Sequence, residues 1–413
     1  MKKHGRGIRT KFSDDLLWLV YLTNEYISFT GDKSILDIKT PYLKGKILDE
    51  NEDEKYDKYM QSDIEESIYE HCKRAINKSL NFGNNGLPKI GSGDWNDGFS
   101  RVGNKGIGES VWLGFFLYNI LERFIPICEE RNEEELVEKY KNIMINLKKA
   151  LNTNGWDGRW YKRAFMDDGN TLGSMENDEC RIDSIAQSWS VISNAGDNDK
   201  KYISMESLEN HLVDKENGII KLLDPPFEKG KLEPGYIKAY LPGVRENGGQ
   251  YTHSSCWVII AESLLGFGDK ALELYKMINP IEHSRTKEAS KKYKVEPYVI
   301  PADIYAENNL AGRGGWTWYT GSSSWYFEAG IKYILGLNIE NRHMKFKPCI
   351  PKEWKEYQII YKWKECIYNI KIKNPYGKNI INEESEILFN GNKVENNIGL
   401  DENKGVNYIE IIL

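Results

Sequence analysis

The sequence predicts a mainly helical protein, an α/α toroid followed by a small β module, and three observations lead to this prediction. Apolar residues recur at three- and four-residue spacing, or almost all round, in many stretches before residue 338. Long connections rich in Gly, Asp, Arg and aromatic residues separate these stretches. After about Asn338 the pattern changes to short alternating runs typical of strands. We therefore expect a helical domain at 1–338 and a β-sandwich-like module at 339–413.

Nine stretches are predicted to form helices. Residues 14–29 follow Ser13, a suitable N-cap, and carry apolar side chains almost all round, as expected of a buried helix. Residues 133–151 are apolar on one face only, as expected of a helix at the surface. The full set of predicted helices is 14–29, 62–80, 109–129, 133–151, 182–194, 203–213, 250–266, 269–277 and 321–336.

The connections between the helices are the second basis of the fold prediction. Four of them are long, at 82–108, 152–181, 235–249 and 279–320. Loops of this length are uncommon in compact domains unless they have a function. Helix pairs with long aromatic loops on one face are typical of an α/α toroid whose active site is built from those loops. A helical repeat without chemistry would have short, uniform connections and a regular period, which this sequence lacks.

The segment after Asn338 is expected to fold as a β module. Short runs of β-branched and aromatic residues occur near 358–363, 366–373, 386–392 and 407–413, and Asn390-Gly391 supplies a hairpin turn. The module is too small to hold an active site of its own. We expect it to cover part of the helical core.

The composition excludes several classes of function. A net charge of −6 argues against a nucleic-acid partner and against an anionic membrane surface. No run reaches the roughly 18 apolar residues of a membrane helix, and the N-terminal residues lack the apolar part of a signal peptide. The six cysteines have neither zinc-finger spacing nor a disulfide pattern, so no metal site is predicted. We expect a soluble, cytoplasmic protein. Aromatic residues make up 12% of the chain, and such rings stack on sugar faces.

The glycine-rich turn at 91–100 is the most informative segment. It places Asp94, Trp95, Asn96 and Asp97 between two predicted helices. A tryptophan beside a carboxyl group offers an apolar platform next to a proton donor, which suits the cleavage of a sugar. The alternative is an Asx-turn with a packed tryptophan.

Three further clusters combine polar and aromatic residues. The cluster at 6–15 lies at the start of a predicted helix, and the alternative is that it only caps this helix. The cluster at 242–253 holds basic, acidic, amide and imidazole groups, with a surface loop as the alternative. The cluster at 312–325 offers backbone N–H groups and hydroxyls that suit an anion, with a capped helix and packed aromatics as the alternative.

An anion site matters for the reaction type. Inverting glycosidic cleavage needs a general acid and a nucleophile on the opposite face, and a water nucleophile needs a second carboxylate as base. Inorganic phosphate needs only positioning by donor groups. Asp97, His253 and the turn from Thr320 to Ser322 fit a phosphate nucleophile. Glu246 could still be the base of a hydrolase.

Four segments together resemble glycoside hydrolase family 94, the cellobiose and chitobiose phosphorylases. They are Asp-Trp-Asn-Asp-Gly (94–98), Gly-Glu-Ser-Val-Trp-Leu-Gly (108–114), Arg-Glu-Asn-Gly-Gly (245–249) and Trp-Tyr-Thr-Gly-Ser (318–322). The resemblance runs from about Arg6 to Trp354. The longer sequence segments around these motifs are most similar to the 1,2-β-oligoglucan phosphorylases and the C-terminal region of the cyclic β-1,2-glucan synthases.

The resemblance implies an (α/α)6 barrel and a phosphate-dependent reaction. Phosphate would attack the glucosyl unit at the non-reducing end of a β-glucoside and give α-glucose 1-phosphate. The substrate class that the resemblance implies is β-1,2-glucan oligosaccharides. No cofactor is implied beyond inorganic phosphate as co-substrate, and no metal. Asp97 matches the general acid, and we expect it to be buried beside Trp95 so that it keeps its proton at neutral pH.

The other site residues are also assigned through the resemblance. Contacts with the sugar fall on five positions, namely Arg9, Asp15, Trp95, Arg245 and Glu246. Contacts with phosphate fall on His253, Thr320 and Gly321. Asp14 is the less favoured choice beside Asp15, and Asp94 is expected to be a structural acid of the turn.

Family members carry a β-sandwich, linker helices and the first barrel helices before the segment that matches Arg9, together with an upstream phosphate-binding arginine. The sequence has no counterpart of that arginine, and nine predicted helices fall short of the twelve of a closed barrel. We therefore expect a barrel that is incomplete at its N-terminal end. The partners would be a β-glucan oligosaccharide and phosphate, with a homodimer or a partner chain that supplies the N-terminal domain. The alternatives are a non-catalytic fragment, or a partner-completed half of a synthase or phosphorylase.

Overall fold

Eleven α-helices lie in the first part of the chain in the computed structural model, which describes residues 5–49, 51–318 and 320–413. They are α1 Leu17–Thr30, α2 Ile68–Ser79, α3 Val111–Glu130, α4 Glu134–Thr153, α5 Ser184–Ile192, α6 Asn198–Leu212, α7 Thr252–Leu264, α8 Gly268–Met277, α9 Pro280–His283, α10 Lys287–Tyr293 and α11 Ser322–Glu328. A π-helical turn, Ala329–Ile334, continues α11. Two 3₁₀ turns lie at Lys33–Asp37 and Tyr236–Ala239.

The helices alternate between an inner and an outer series. The inner helices α1, α3, α5, α7 and α11 contact one another in that order. Each of α2, α4, α6 and α8 packs against the inner helix that precedes it in the chain. The inner helix α3 is buried on nearly every face, whereas α4 buries one face. This alternation agrees with the predicted mainly helical domain, because a helix that is apolar all round must be enclosed by others.

The core of the helical part is built around three fully buried tryptophans. Trp112 of α3, Trp189 of α5 and Trp257 of α7 lie with ring centroids 5.2–6.3 Å apart. Rings of this size bury large apolar areas and therefore fix the inner helices against each other. The helix α3 is long and apolar enough to cross a membrane, but 78% of its apolar stretch is buried inside the fold. Burial of this extent is that of a core helix.

Short strands connect the helices, and longer ones form two sheets near the chain ends. The strands are β1 Gly5–Thr10, β2 Lys39–Lys44, β3 Glu54–Ser67, β4 Glu109–Ser110, β5 Ala164–Phe165, β6 Thr171–Leu172, β7 Ile182–Asp183, β8 Val213–Asp214, β9 Ile219–Ile220, β10 Leu223–Asp224, β11 Gln250–Tyr251, β12 Asp303–Ile304, β13 Leu337–Glu340, β14 His343–Phe346, β15 Glu356–Trp363, β16 Cys366–Lys373, β17 Glu386–Phe389, β18 Asn392–Lys393, β19 Ile398–Gly399 and β20 Gly405–Ile412.

The β module follows the helices, as predicted. A five-stranded sheet has the order β15-β16-β20-β17-β18, and β13, β14 and β19 form a second sheet. The strands β16 and β20 pair in parallel, and the other pairs in the two sheets are antiparallel. The module has an apolar core of its own. It rests on the helical part where the backbone N–H of Asn341 donates to the carbonyl of Ser28, 2.6 Å away.

The region between α1 and α2 differs from the prediction. The helix predicted over 62–80 begins only at Ile68, because residues 54–67 form the long strand β3. This strand pairs with β1 on one side and with β2 on the other. Ser67 then caps α2 by accepting a hydrogen bond from the backbone N–H of Glu70. The pairing partners lie far away in the sequence, so local spacing alone does not reveal the sheet.

A buried glutamate in α7 makes the stability of the fold depend on pH. Glu262 is 1% exposed, and neither oxygen of its carboxylate has a hydrogen-bond partner among the described residues. Burial raises the pKa of Glu262 from 4.5 to about 7, against the opposing charge of Lys270. The folded state thus favours the protonated form. The stability that goes with a protonated Glu262 is fully present below pH 4.5 and is lost as the pH rises through 7.

We expect Glu262→Gln to raise the free energy of unfolding by about 3 kcal/mol at pH 8, because glutamine never carries the buried charge. At pH 4 the change should be small, since the wild-type carboxyl is then protonated. Urea denaturation at the two pH values measures the difference. Glu273→Gln, at an exposed position of α8, is the matched control and should change neither value. An equal gain at pH 4 and pH 8 would contradict the assignment.

Candidate active site

The turn at 94–97 is held in place by the first of its two aspartates. The carboxylate of Asp94 is buried and accepts two hydrogen bonds from the guanidinium of Arg163, at 2.6 and 2.8 Å. It also accepts from the hydroxyl of Ser110 at 2.6 Å and from the backbone N–H of Asn96 at 3.0 Å. A carboxylate with this many partners is fixed. Asp94 therefore has the structural position expected of a turn acid.

Asp97 lies at the exposed side of the same turn. The side chains of Asp94 and Asn96 point inward, and the alternate position, Asp97, faces outward. The burial expected for Asp97 is therefore wrong for this structure. Its carboxylate lies near the hydroxyl of Tyr236, and burial together with the proximity of Asp97 raises the pKa of the Tyr236 phenol well above its usual range.

Trp95 connects this turn to the start of α7. Its indole N–H donates to Nδ1 of His253 across 3.4 Å. An indole nitrogen can only donate, so Nδ1 must accept and the ring proton of a neutral His253 lies on Nε2. Burial lowers the pKa of His253 to about 3, which keeps the ring neutral near pH 7. The Nε2 atom is buried and has no hydrogen-bond partner among the described residues.

The Thr320 turn approaches the same helix from the other side. The hydroxyl of Thr320 accepts from the backbone N–H of Ser322 at 3.0 Å and also contacts the Ser322 hydroxyl. The carbonyl of Ser322 lies 3.7 Å from the sulfur of Cys256, three residues after His253 in α7. The ring of Trp325 in α11 lies 5.7 Å from that of His253. The structure thus brings His253, Thr320 and Gly321 to neighbouring elements; Tyr319 lies outside the described residues.

Arg245 and Glu246 form a charged pair next to aromatic rings. The guanidinium of Arg245 packs over the rings of Tyr240 and Trp316, 4.8 and 5.2 Å from their centroids. Its Nε lies 3.5 Å from Oε2 of Glu246, which is 6% exposed. Burial raises the pKa of Glu246, and the negative charge of Asp97 adds to this effect against the attraction of Arg245. The pair therefore lies within electrostatic reach of Asp97.

Arg9 and Asp15 lie beside the start of the glycine-rich turn at Gly91. Both border a cavity of about 690 Å³, whose described lining residues include neither Trp95 nor His253. The carboxylate of Asp15 accepts from the hydroxyl of Thr10 at 2.5 Å. The structure places these two predicted sugar contacts together, but it does not bring them into contact with the Trp95 and His253 cluster.

The neighbouring Asp14 has the opposite orientation. It is buried and accepts from the indole N–H of Trp18 at 2.9 Å. Burial raises the pKa of Asp14 to about 7, and the charge of Asp94 contributes to this increase. Of the two adjacent acids, Asp14 is thus the one directed toward the Asp94 turn.

The assembled groups suit acid-assisted transfer to an anion. An exposed carboxyl group, Asp97, lies in one turn with Trp95. The indole of Trp95 donates to a neutral imidazole whose buried N–H has no partner in the part of the chain that the structure describes. Hydroxyl groups of the Thr320 turn lie on the adjoining element.

Residues 1–336 match the family model described as glycosyl hydrolase 94 superfamily, catalytic domain. The chain belongs to this family.

Curated proteins of the family carry related sequences. The chain is 46% identical over 352 residues to a cyclic beta-(1,2)-glucan synthase, NdvB, of Rhizobium meliloti, covering 85% of this chain and 12% of that protein. It is 28% identical to an N,N′-diacetylchitobiose phosphorylase of Vibrio proteolyticus, covering 98% of this chain and 48% of that protein. It is 24% identical to a 1,2-beta-oligoglucan phosphorylase of Listeria innocua, covering 82% of this chain and 32% of that protein. The chain thus spans less than half the length of each of these relatives.

Asp303 is a residue of this glycosyl hydrolase 94 domain that the sequence prediction missed. It is 2% exposed, and its Oδ1 accepts from the backbone N–H of Trp316 at 3.0 Å. It pairs with Tyr251 in the short sheet β11-β12, which ties the Arg245 loop to the Trp316 loop. Its Oδ2 is buried without a hydrogen-bond partner among the described residues. The sequence feature that could have revealed Asp303 is its position as a single acid within the largely apolar run at 298–305.

Proposed function

We propose that this chain is the catalytic part of an inverting glycoside phosphorylase with an (α/α)6 toroid. Inorganic phosphate would cleave β-1,2-linked glucan oligosaccharides and release α-glucose 1-phosphate. Membership of the glycosyl hydrolase 94 superfamily supports this proposal. So do the names of two relatives that act on or make a β-1,2-glucan. The reaction needs no cofactor besides phosphate as co-substrate.

The observation that carries the proposal is the hydrogen bond between Trp95 and His253. These residues are 158 positions apart in the sequence, and the bond joins the acid-bearing turn to a buried neutral imidazole. A free Nε2–H in an apolar setting is costly unless something accepts its proton, and a phosphate oxygen is a strong acceptor. The hydroxyl of Thr320 supplies a further polar group on the adjoining element.

The proposed step moves one proton and exchanges one bond. The carboxyl group of Asp97 donates its proton to the glycosidic oxygen while the bond from C1 to that oxygen breaks. A phosphate oxygen, held by His253 and the Thr320 turn, attacks C1 from the opposite face. The products are α-glucose 1-phosphate and the shortened glucan. Asp97 is left as a carboxylate and recovers its proton from solvent.

A hydrolase that uses Glu246 as base is the second candidate. Its support is the proximity of Glu246 to Asp97, since the charge of Asp97 contributes to the raised pKa of Glu246. A base must be ionised, however, and burial raises the pKa of Glu246. A raised pKa favours the protonated form, so Glu246 fits the binding of sugar hydroxyls better than the activation of water.

The test is phosphate dependence. We expect purified protein to release glucose 1-phosphate from β-1,2-linked glucose oligomers only when phosphate is present, as measured with a phosphoglucomutase-coupled assay. His253→Ala should raise the KM for phosphate at least tenfold, because one donor to the anion is lost. His343→Ala, in the β module, is the matched control. Release of free glucose without phosphate would instead establish the hydrolase.

A further inference from the structure

A series of aromatic side chains, four of them exposed and one half-buried, leads away from the Asp97 turn. We name Tyr236, Tyr240, Trp316, Trp318 and Tyr298 the aromatic track. We propose that the aromatic track binds the glucosyl units of a β-glucan chain beyond the first unit on the leaving-group side. This inference rests on the proposed function, because it assigns a length-dependent substrate to the same site.

The track begins at the group that would protonate the leaving oxygen. The carboxylate of Asp97 lies near the hydroxyl of Tyr236 and raises the pKa of that phenol. The rings of Tyr236 and Tyr240 lie 6.2 Å apart, and the guanidinium of Arg245 contacts the rings of both Tyr240 and Trp316. A general acid faces the leaving group. Rings that extend from the acid therefore lie on the leaving-group side of the bond that breaks.

The far end of the track is a pair of rings that contact each other. The centroids of Tyr298 and Trp318 lie 6.2 Å apart. The backbone links Trp318 to Trp316 through one residue, so their Cα atoms are within about 7 Å. Tyr240 is half-buried, Tyr236 and Trp316 are 42% and 48% exposed, and Trp318 and Tyr298 at the far end are 69% and 76% exposed. The track thus leads from the site to solvent, as the path of a long chain would.

The indole of Trp318 is exposed and yet held in place. Its Nε1–H donates to the carboxylate of Glu296 at 3.0 Å. This bond uses the one donor of the ring, so the apolar ring face is what remains for contact. Glucose has an apolar face of C–H groups and a rim of hydroxyls. An exposed indole with a fixed orientation suits such a ring better than it suits water.

The chemistry of the track favours a neutral polymer. Its charged groups, Arg245 and Glu296, already contact Glu246 and Trp318. A strongly charged ligand would therefore find no unpaired side-chain charge among these residues. A β-linked glucose chain needs only ring faces and hydrogen bonds along its rim.

The experiment compares substrates of increasing length. With phosphate present, kcat/KM is measured for β-1,2-linked glucose oligomers from two to six units. We expect the ratio of kcat/KM for the hexasaccharide to that for the disaccharide to be at least ten in the wild type. Trp318→Ala and Tyr298→Ala should each lower this ratio about tenfold. Tyr376→Ala, equally exposed but in the β module, is the matched control and should leave the ratio unchanged.

Binding measurements separate failure of this inference from failure of the proposed function. Calorimetric titration of the hexasaccharide into the wild type and into Trp318→Ala requires no turnover. Weaker binding by the variant supports the aromatic track even if no glucose 1-phosphate is formed, which would refute only the phosphorylase. Equal affinities, or an unchanged length ratio in both variants, would overturn the track. A change of oligomeric state in Trp318→Ala without any change in sugar binding would assign the surface to a protein contact instead.

Discussion

Asp97→Asn should lose about 10³-fold in kcat for phosphorolysis of a β-1,2-linked oligosaccharide. Asparagine has nearly the same shape, but its amide cannot give a proton to the leaving oxygen, and general acids contribute about 10²- to 10⁴-fold. Asp97 is exposed, so the substitution should leave the thermal stability unchanged. Coupled detection of glucose 1-phosphate measures the loss. Asp168→Asn, in an exposed loop, is the matched control.

A second donor distinguishes loss of the acid from loss of binding. Fluoride leaves without protonation, so β-glucosyl fluoride bypasses the role of Asp97. We expect Asp97→Asn to be impaired far less with this donor than with the oligosaccharide. Equal losses with both donors would indicate a binding role. Retention of kcat within tenfold on the oligosaccharide would move the general acid to another residue, of which Glu246 is the nearest candidate on electrostatic grounds.

The helical part of the fold follows from local sequence patterns, whereas the first sheet does not. The helices predicted over 109–129 and 133–151 match α3 and α4 within two residues at each end. The spacing of apolar residues along the chain indicates whether a helix is buried on all faces or on one face only. The strand at 54–67 is rich in charged residues and alternates weakly. Its conformation depends on pairing with β1 and β2, which are distant in the sequence.

The site was predictable as a set of loops but not in its detailed orientation. That Trp95 and His253 meet follows from loops that share one end of the helical part. The orientation of adjacent side chains is decided by the first helical turn, and there Asp14 turns inward to the indole of Trp18 while Asp15 faces solvent. Asp303 was missed because a two-residue strand leaves almost no periodic signal.

Arg163→Met should be the most destabilising single change around the site. Arg163 is 0% exposed and forms a bidentate pair with Asp94, while its Nε lies 3.4 Å from Asp183. Without the guanidinium two carboxylates remain buried without a counter-charge, which costs about 3–5 kcal/mol. We expect this loss in the free energy of unfolding at pH 8, measured by urea denaturation. Arg181→Met, at an exposed position nearby, is the matched control.

The pH dependence of the Arg163→Met loss identifies its cause. Burial raises the pKa of Asp183 to about 6 even though Arg163 opposes the shift, so removing Arg163 should raise it further. A raised pKa means stability that is present at low pH and lost as the pH rises through the folded value. The deficit relative to the wild type should therefore be smaller at pH 5 than at pH 8.

Adding Asp94→Asn and Asp183→Asn to Arg163→Met should recover part of the pH 8 loss, because neutral side chains need no counter-charge. A deficit that is equal at both pH values and is not relieved by the two asparagines would mean that Arg163 stabilises the turn through packing, for instance against the ring of Phe99, and not through charge.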